Sequence, residues 1–253
     1  MNRDYGSRAR IGILTPQANP TVEPELWALL PAGVNMLVNR LTSQGEPQQR
    51  FLDYFRRLES TLQGFDTMQL EAAGFACTAS SYLLDAGEEQ RTCEQLEKQF
   101  GYPLITAAAA IRSALDFLSA KRIALACPYP SWLLAHAERF WSQQGFEIAA
   151  SFSAQPQMGD TRAIYKVGGQ EASEKIATAL QGVSCDAVVI TGTGMPALQA
   201  ICDLQQQFGV PVFNSNLALA WACLRAAKVP LLDRAPEPGF PLLGGWQQLI
   251  SRL

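Results

Sequence analysis

The chain carries a single histidine, His136, and its six cysteines, at 77, 93, 127, 185, 202 and 223, include no CxxC pair and no cysteine–histidine cluster. The donor spacing of a zinc site is therefore missing, and a reducing compartment would hold these thiols free, so neither a metal nor a disulfide framework is expected. Positive charge is also scarce. Lys+Arg 20 against Asp+Glu 23 leave a formal charge of -3, which gives no basic footprint for nucleic acid or an anionic membrane surface. No run is long and apolar enough to span a bilayer. The opening MNRDYGSRAR leads into a strand-like run with no apolar signal core, so a cytoplasmic protein is the expectation. No GxGxxG follows the first strand, which disfavours a dinucleotide.

What is present is a chain of 253 residues, 48% hydrophobic, in which short β-rich runs alternate with longer amphipathic stretches. That pattern belongs to α/β proteins with mainly parallel sheets. The pattern is also written twice. Arg10-Ile-Gly-Ile-Leu-Thr-Pro16 returns as Arg122-Ile-Ala-Leu-Ala-Cys-Pro128, and Tyr102-Pro-Leu-Ile-Thr-Ala as Val210-Pro-Val-Phe-Asn-Ser, offsets of 112 and 108 residues. The sequence predicts two pseudo-symmetric Rossmann-like domains with parallel sheets and an active site in the cleft between them. Residues 1–115, completed by 222–253, form the first half and 116–221 the second; a single larger Rossmann-like domain is the alternative.

Ligands of open parallel sheets bind beyond the carboxyl ends of the strands, so residues just after strand ends are the candidates. Cys77 ends the run Gly74-Phe-Ala-Cys77 and precedes the hydroxyl-rich Thr78-Ala-Ser-Ser81. A thiol near a helix N-terminus is favoured as thiolate; a buried structural cysteine is the local alternative. Its counterpart in the second half is the loop Thr191-Gly192-Thr193-Gly194. The first loop, with Pro16, Gln17 and Asn19, and the last, with Asn214, offer neutral donors suited to a carboxylate, or equally to turns and helix caps. Tyr129, between Pro128 and Pro130, is the repeat partner of Gln17 and either donates to an oxyanion or packs. Cys127 neighbours it at a strand end. His136 reads as a surface residue of a helix.

Four segments in this order, Thr15-Pro-Gln-Ala-Asn19, Gly74-Phe-Ala-Cys77, Lys121-Arg-Ile-Ala-Leu-Ala-Cys-Pro-Tyr129 and Met195-Pro-Ala-Leu-Gln-Ala-Ile201, resemble the maleate cis–trans isomerase and arylmalonate decarboxylase branch of the Asp/Glu racemase superfamily. The resemblance covers nearly the whole chain. It implies a cofactor-independent enzyme with one active position in each half. Cys77 matches the nucleophilic cysteine of the isomerases, and Gly192 stands where the decarboxylases carry their single proton-donating cysteine. Thr78, Tyr129 and Thr193 match the decarboxylase oxyanion pocket. With glycine at 192, two-base racemisation loses its second base. The resemblance then implies decarboxylation of a malonate-type diacid, with Cys77 protonating the enediolate. The alternatives are maleate-type isomerisation with Cys77 as nucleophile, for which no Lys, Arg or His lies adjacent in sequence to lower the thiol pKa, and a non-catalytic binder of small carboxylates. Arg162 is a candidate partner for a distal carboxylate, and Asp160 falls near a position where the isomerases carry a ligand-binding asparagine. A small dicarboxylate is the expected ligand, and the apolar Trp221-Ala-Cys-Leu224 leaves room for a homodimer.

Overall fold

The computed structural model describes residues 3–154, 159–230 and 242–252. The first half runs β1 (Ala9–Pro16), α1 (Val22–Leu29), β2 (Val34–Leu41), α2 (Pro47–Arg56), α3 (Leu58–Gln63), β3 (Ala72–Phe75), α4 (Thr78–Ser81), α5 (Glu88–Phe100), β4 (Leu104–Thr106) and α6 (Ala107–Phe117). The second runs β5 (Arg122–Cys127), α7 (Ser131–Gln143), β6 (Glu147–Ser153), a 3-10 turn Thr161–Lys166, α8 (Gly169–Ala179), β7 (Ala187–Ile190), α9 (Leu198–Phe208), β8 (Val212–Asn214) and α10 (Ser215–Ala226). All pairings are parallel, and the two sheets have the same order, β2-β1-β3-β4 and β6-β5-β7-β8. The repeat read from the sequence is thus a repeat of topology.

Parallel strands covered on both faces should read as continuous apolar runs, and the central strands do. Ala-Ala-Gly-Phe of β3 and Ala-Val-Val-Ile of β7 are buried at every position. Helix starts are set by short polar side chains at strand ends. Thr106 Oγ1 accepts the Ala109 N–H at 3.0 Å, and Asn214 Oδ1 the Leu217 N–H at 2.7 Å, each satisfying a first-turn donor. The oxygen of Asn214, a candidate ligand-binding residue, is therefore spent as a helix cap.

The helix α10 follows β8 but packs against α6, α1 and β3 of the first half. It is buried on most of its circumference, as a helix between two layers must be. Gly74 on β3 allows this approach: a Cβ there would lie 3.1 Å from Cys223 Sγ and 3.2 Å from Leu219 Cδ1. Trp221, Cys223 and Leu224 are consumed in this packing, so the face the sequence offered for a homodimer is covered by the chain's own helices. The expected domain segment 222–253 includes residues 231–241 and 253, outside the described residues, and its 3-10 turn Gln247–Arg252 packs against α9. No helix among the described residues is long and apolar enough to cross a membrane.

The halves are joined by a buried polar network centred on Glu25 of α1. Its Oε1 accepts the Ala197 N–H at 2.7 Å, and its Oε2 accepts the amides of Asn214 at 2.8 Å and Asn216 at 2.7 Å. Thr21 Oγ1 donates to the Gly194 carbonyl at 2.8 Å, and Asn216 also donates to the Thr193 carbonyl. Burial pushes the Glu25 carboxyl up, opposed by the Ala197 N–H and the two asparagine amides. Glu25→Ala strands three donors, each costing roughly 1–3 kcal/mol when buried and unpaired. A fall of about 3 kcal/mol or more is expected, read as a lower urea midpoint at unchanged slope. Glu25→Gln, which keeps one acceptor, should lose less; an alanine variant as stable as the parent would remove the network from its structural role.

Candidate active site

In each sheet the chain leaves the first strand to one side and returns on the other, so the crevice lies beyond β1 and β3 in one half and beyond β5 and β7 in the other. The loops after those four strands carry Asn19, Cys77, Tyr129 and Gly192–Thr193. All line one narrow pocket between the halves, together with Pro16 and Thr78. The space it leaves for solvent is about 30 Å³, room for a water or two.

Cys77 is the residue before α4, in extended conformation (φ -146, ψ 97) and 4% exposed. The Ser80 hydroxyl lies 3.2 Å from Sγ and 2.8 Å from the Phe51 carbonyl, so it can turn its proton toward a thiolate. Burial pushes the thiol above its ordinary 9.0, opposed by the Ser80 hydroxyl, the Ser80 and Ala79 amides and the charge of Arg50. The sequence offers no cation beside this thiol. The structure supplies one from α2, whose buried face carries Arg50, Phe51, Tyr54 and Phe55. Desolvation also lifts the Tyr54 phenol to about 12.

The expected oxyanion donors are not equivalent. Thr78 gives its proton to Ser215 Oγ at 2.9 Å, and Thr193 gives its own to the Ala76 carbonyl at 2.8 Å while accepting from Asn19 Nδ2 at 3.2 Å. The Tyr129 hydroxyl is buried with no hydrogen-bond partner among the described residues; its neighbour Thr191 donates to Cys127 Sγ at 3.1 Å. A buried, unpaired hydroxyl on a pocket wall favours a ligand that accepts from it.

Two expected site residues are not brought to the pocket wall. Gln17 turns back to the loop after β2, its amide donating to the Ser43 carbonyl at 3.0 Å and its oxygen accepting the Ser43 N–H at 2.7 Å. Asn214 does bind a carboxylate, but that of Glu25; β8 lies at the sheet edge, away from the crossing point. Asn19 reaches the wall while its Oδ1 accepts the Thr21 and Val22 N–H groups at the start of α1. Arg162 lines the pocket; Cys127 and His136 do not.

The lining residues that sequence reasoning missed, Arg50, Phe51, Tyr54, Ala79, Thr161, Ile164 and Tyr165, come mostly from segments following β2 and β6. One signal was available. Arg50 shares a helical face with Tyr54 at i+4, an arginine on the apolar side of an amphipathic helix.

Gly192 explains the missing second thiol. Its φ is +88, and a Cβ would lie 2.7 Å from Pro128 Cγ and 3.4 Å from Tyr129 Cε1. A side chain there meets both backbone strain and a proline ring.

A sequence profile of the arylmalonate decarboxylase family matches residues 11–236. A maleate isomerase from Pseudomonas putida is 26% identical over 94% of this chain and 98% of its own. A mutant of the Nocardia farcinica maleate cis–trans isomerase with a covalently bound succinylcysteine intermediate superposes with a TM-score of 0.79 at 23% identity, covering 88% of this chain and 94% of that one. An arylmalonate decarboxylase superposes with a TM-score of 0.75 at 18% identity, over 95% and 99% of the two chains.

Gly192→Ala should destabilise by more than Gly209→Ala. Both impose a left-handed backbone on alanine, a strain of about 1–3 kcal/mol, but at Gly209 nothing lies within 4 Å of the added Cβ. Thermal unfolding of the two variants measures the difference, and equal losses would show that Pro128 yields freely.

Proposed function

Since the chain belongs to the arylmalonate decarboxylase family, we propose that it acts on a small dicarboxylate through one thiol, with Cys77 as nucleophile in the cis–trans isomerisation of a maleate-type enedioate. The observation that carries this reading is the buried guanidinium of Arg50 in the pocket of Cys77. With the Ser80 hydroxyl and the Ala79 and Ser80 amides, it opposes the desolvation that otherwise holds the sulfur protonated. The isomerase relatives favour the same chemistry.

The thiolate Sγ forms a bond to one alkene carbon, and the π pair moves to the neighbouring carbon and its carboxylate as an enediolate. The former double bond is now single and rotates. The pair then returns, re-forms the alkene in the trans arrangement and expels Sγ as thiolate. No net proton is gained or lost, so the route is complete without a thiol at Gly192. The uncommitted Tyr129 hydroxyl donates to the enediolate, a contribution of about 3–4 kcal/mol for a preorganised donor.

A second reading rests on the other side of the same balance. Burial is the largest influence on Cys77 and keeps it protonated, which suits a general acid that protonates the enediolate left by decarboxylation of a malonate. The two readings differ in pH dependence. A thiolate nucleophile gives a kcat/KM that climbs with pH until it passes the thiol pKa, raised above 9.0; a thiol acid gives a flat profile that falls through that pKa.

Proton NMR in deuterated buffer separates them directly. Wild-type protein is expected to convert maleate to fumarate, and Cys77→Ser to convert none. Loss of carbon dioxide from a substituted malonate, with deuterium on one face of the product, would replace the first reading by the second. Turnover of neither would remove both for these substrates.

A further inference from the structure

Arg50 is more than a source of field at the thiol. Its side chain is 6% exposed, and a guanidinium has five N–H donors that desolvation makes costly to leave unpaired. Only Nη2 is engaged, donating at 3.0 Å to Asp160 Oδ1 and at 3.0 Å to Thr161 Oγ1; Nε and Nη1 make no side-chain hydrogen bond among the described residues.

Asp160, by contrast, is fully served without it. Arg162 reaches Oδ2 through Nε at 2.8 Å and Nη2 at 2.5 Å, and Oδ1 through Nε at 3.1 Å, while the Arg162 N–H donates to Oδ1 at 2.9 Å. This carboxylate is 47% exposed and held well below the usual carboxylate range, first by the Arg162 hydrogen bonds. The Arg50–Asp160 contact is therefore lopsided: the carboxylate is neutralised by another partner, whereas the buried cation is met end-on at one nitrogen. An arginine that satisfies a carboxylate in full does so side-on with two N–H groups.

We propose that Arg50 is the receptor for one carboxylate of the substrate, and that Asp160 occupies its outer edge in the empty protein as an internal stand-in that the substrate must outcompete. The inference rests on the dicarboxylate reading of the site. It deepens that reading by requiring a negative charge at the Arg50 end of the ligand, so a diacid is bound and its uncharged diamide is rejected. It also gives the turn Thr161–Lys166 a role. Asp160 precedes that turn, which brings Arg162, Ile164 and Tyr165 to the pocket wall, so the contact that yields to substrate is also one that holds the turn to α2.

The test is calorimetric binding in a Cys77→Ser background, where no adduct forms and no turnover is needed. The probes are maleate and its uncharged diamide, maleamide. Maleate should bind more tightly than maleamide. Arg50→Gln should weaken maleate by roughly 10–100-fold, the scale of a lost charge-assisted hydrogen bond, and narrow the preference over maleamide by the same factor. Asp160→Asn should tighten maleate by roughly two- to fivefold, the scale of a half-exposed ion pair.

Unchanged maleate affinity in Arg50→Gln, weaker binding in Asp160→Asn, or no maleate binding at all would each overturn the assignment. Circular dichroism checks folding; should Arg50→Gln not fold, Arg50→Lys and Asp160→Asn still decide it, because the stand-in predicts a gain from Asp160→Asn that a merely structural ion pair does not. Maleate bound through Arg50 but turned over by neither route would leave the receptor and remove the catalytic reading. Isomerisation with a KM unmoved in Arg50→Gln would do the reverse.

Discussion

Glu25 sits where two sheets with no strand pairing between them must be held at a fixed separation. A carboxylate buried in protein persists only if its lone pairs are filled, and the donors that fill these come from the second half: the Ala197 N–H at the start of α9, and Asn214 and Asn216 at the junction of β8 and α10. The same polar layer continues through Thr21 to the Gly194 carbonyl and through Asn19 to Thr193, whose hydroxyl ends on the Ala76 carbonyl beside Cys77. The distance between the thiol loop and its counterpart is thus set by hydrogen-bond lengths. Apolar packing alone would let the two loops slide; directional bonds fix them.

Within that frame the two halves have diverged around one constraint, the space at Gly192. Pro128 occupies the position a Cβ would need, and the positive φ removes any incentive for a side chain. The pocket therefore presents one sulfur among the described residues, Cys77 from the first half, with Tyr129 of the second half on the same wall as Tyr54 and Tyr165. Chemistry that needs two thiols finds no second one there. Chemistry in which one group adds and leaves, or donates once, remains open. Tyr129 lines the pocket, and its buried hydroxyl has no hydrogen-bond partner among the described residues.

Electrostatics complete the site from its far wall. The pocket removes Cys77 from water, which favours the neutral thiol, and Arg50 pulls the other way. Both effects grow as the dielectric falls, so the balance depends on whether the cavity is dry and on what stands against the guanidinium. A dianionic ligand seated beside Arg50, as proposed, would change both at once.

The two-fold repeat was legible because strand runs have a local signature: Arg10–Pro16 and Arg122–Pro128 repeat in pattern and, as found, in topology. Cys77, Tyr129 and Thr193 were legible for the same reason, since parallel sheets direct the loops after their central strands into the crevice. The sequence could not fix where a side chain turns once its backbone is placed, which is why Gln17 closes on Ser43 and Asn214 on Glu25 although both lie at strand ends. Nor could it bring Arg50 to Cys77 or oppose it to Asp160. Arg50 and Cys77, 27 positions apart, come near each other where α2 packs on α4 within the first half; Arg50 and Asp160, 110 apart, meet across two halves whose relative placement depends on the buried network around Glu25. The sequence by itself determined the class, the duplication and which thiol lies at the crevice, because these depend on local periodicity and strand ends; the charge near that thiol was decided only when α2 packed on α4 in the tertiary structure, because Coulomb interactions depend on distance in space and not along the chain.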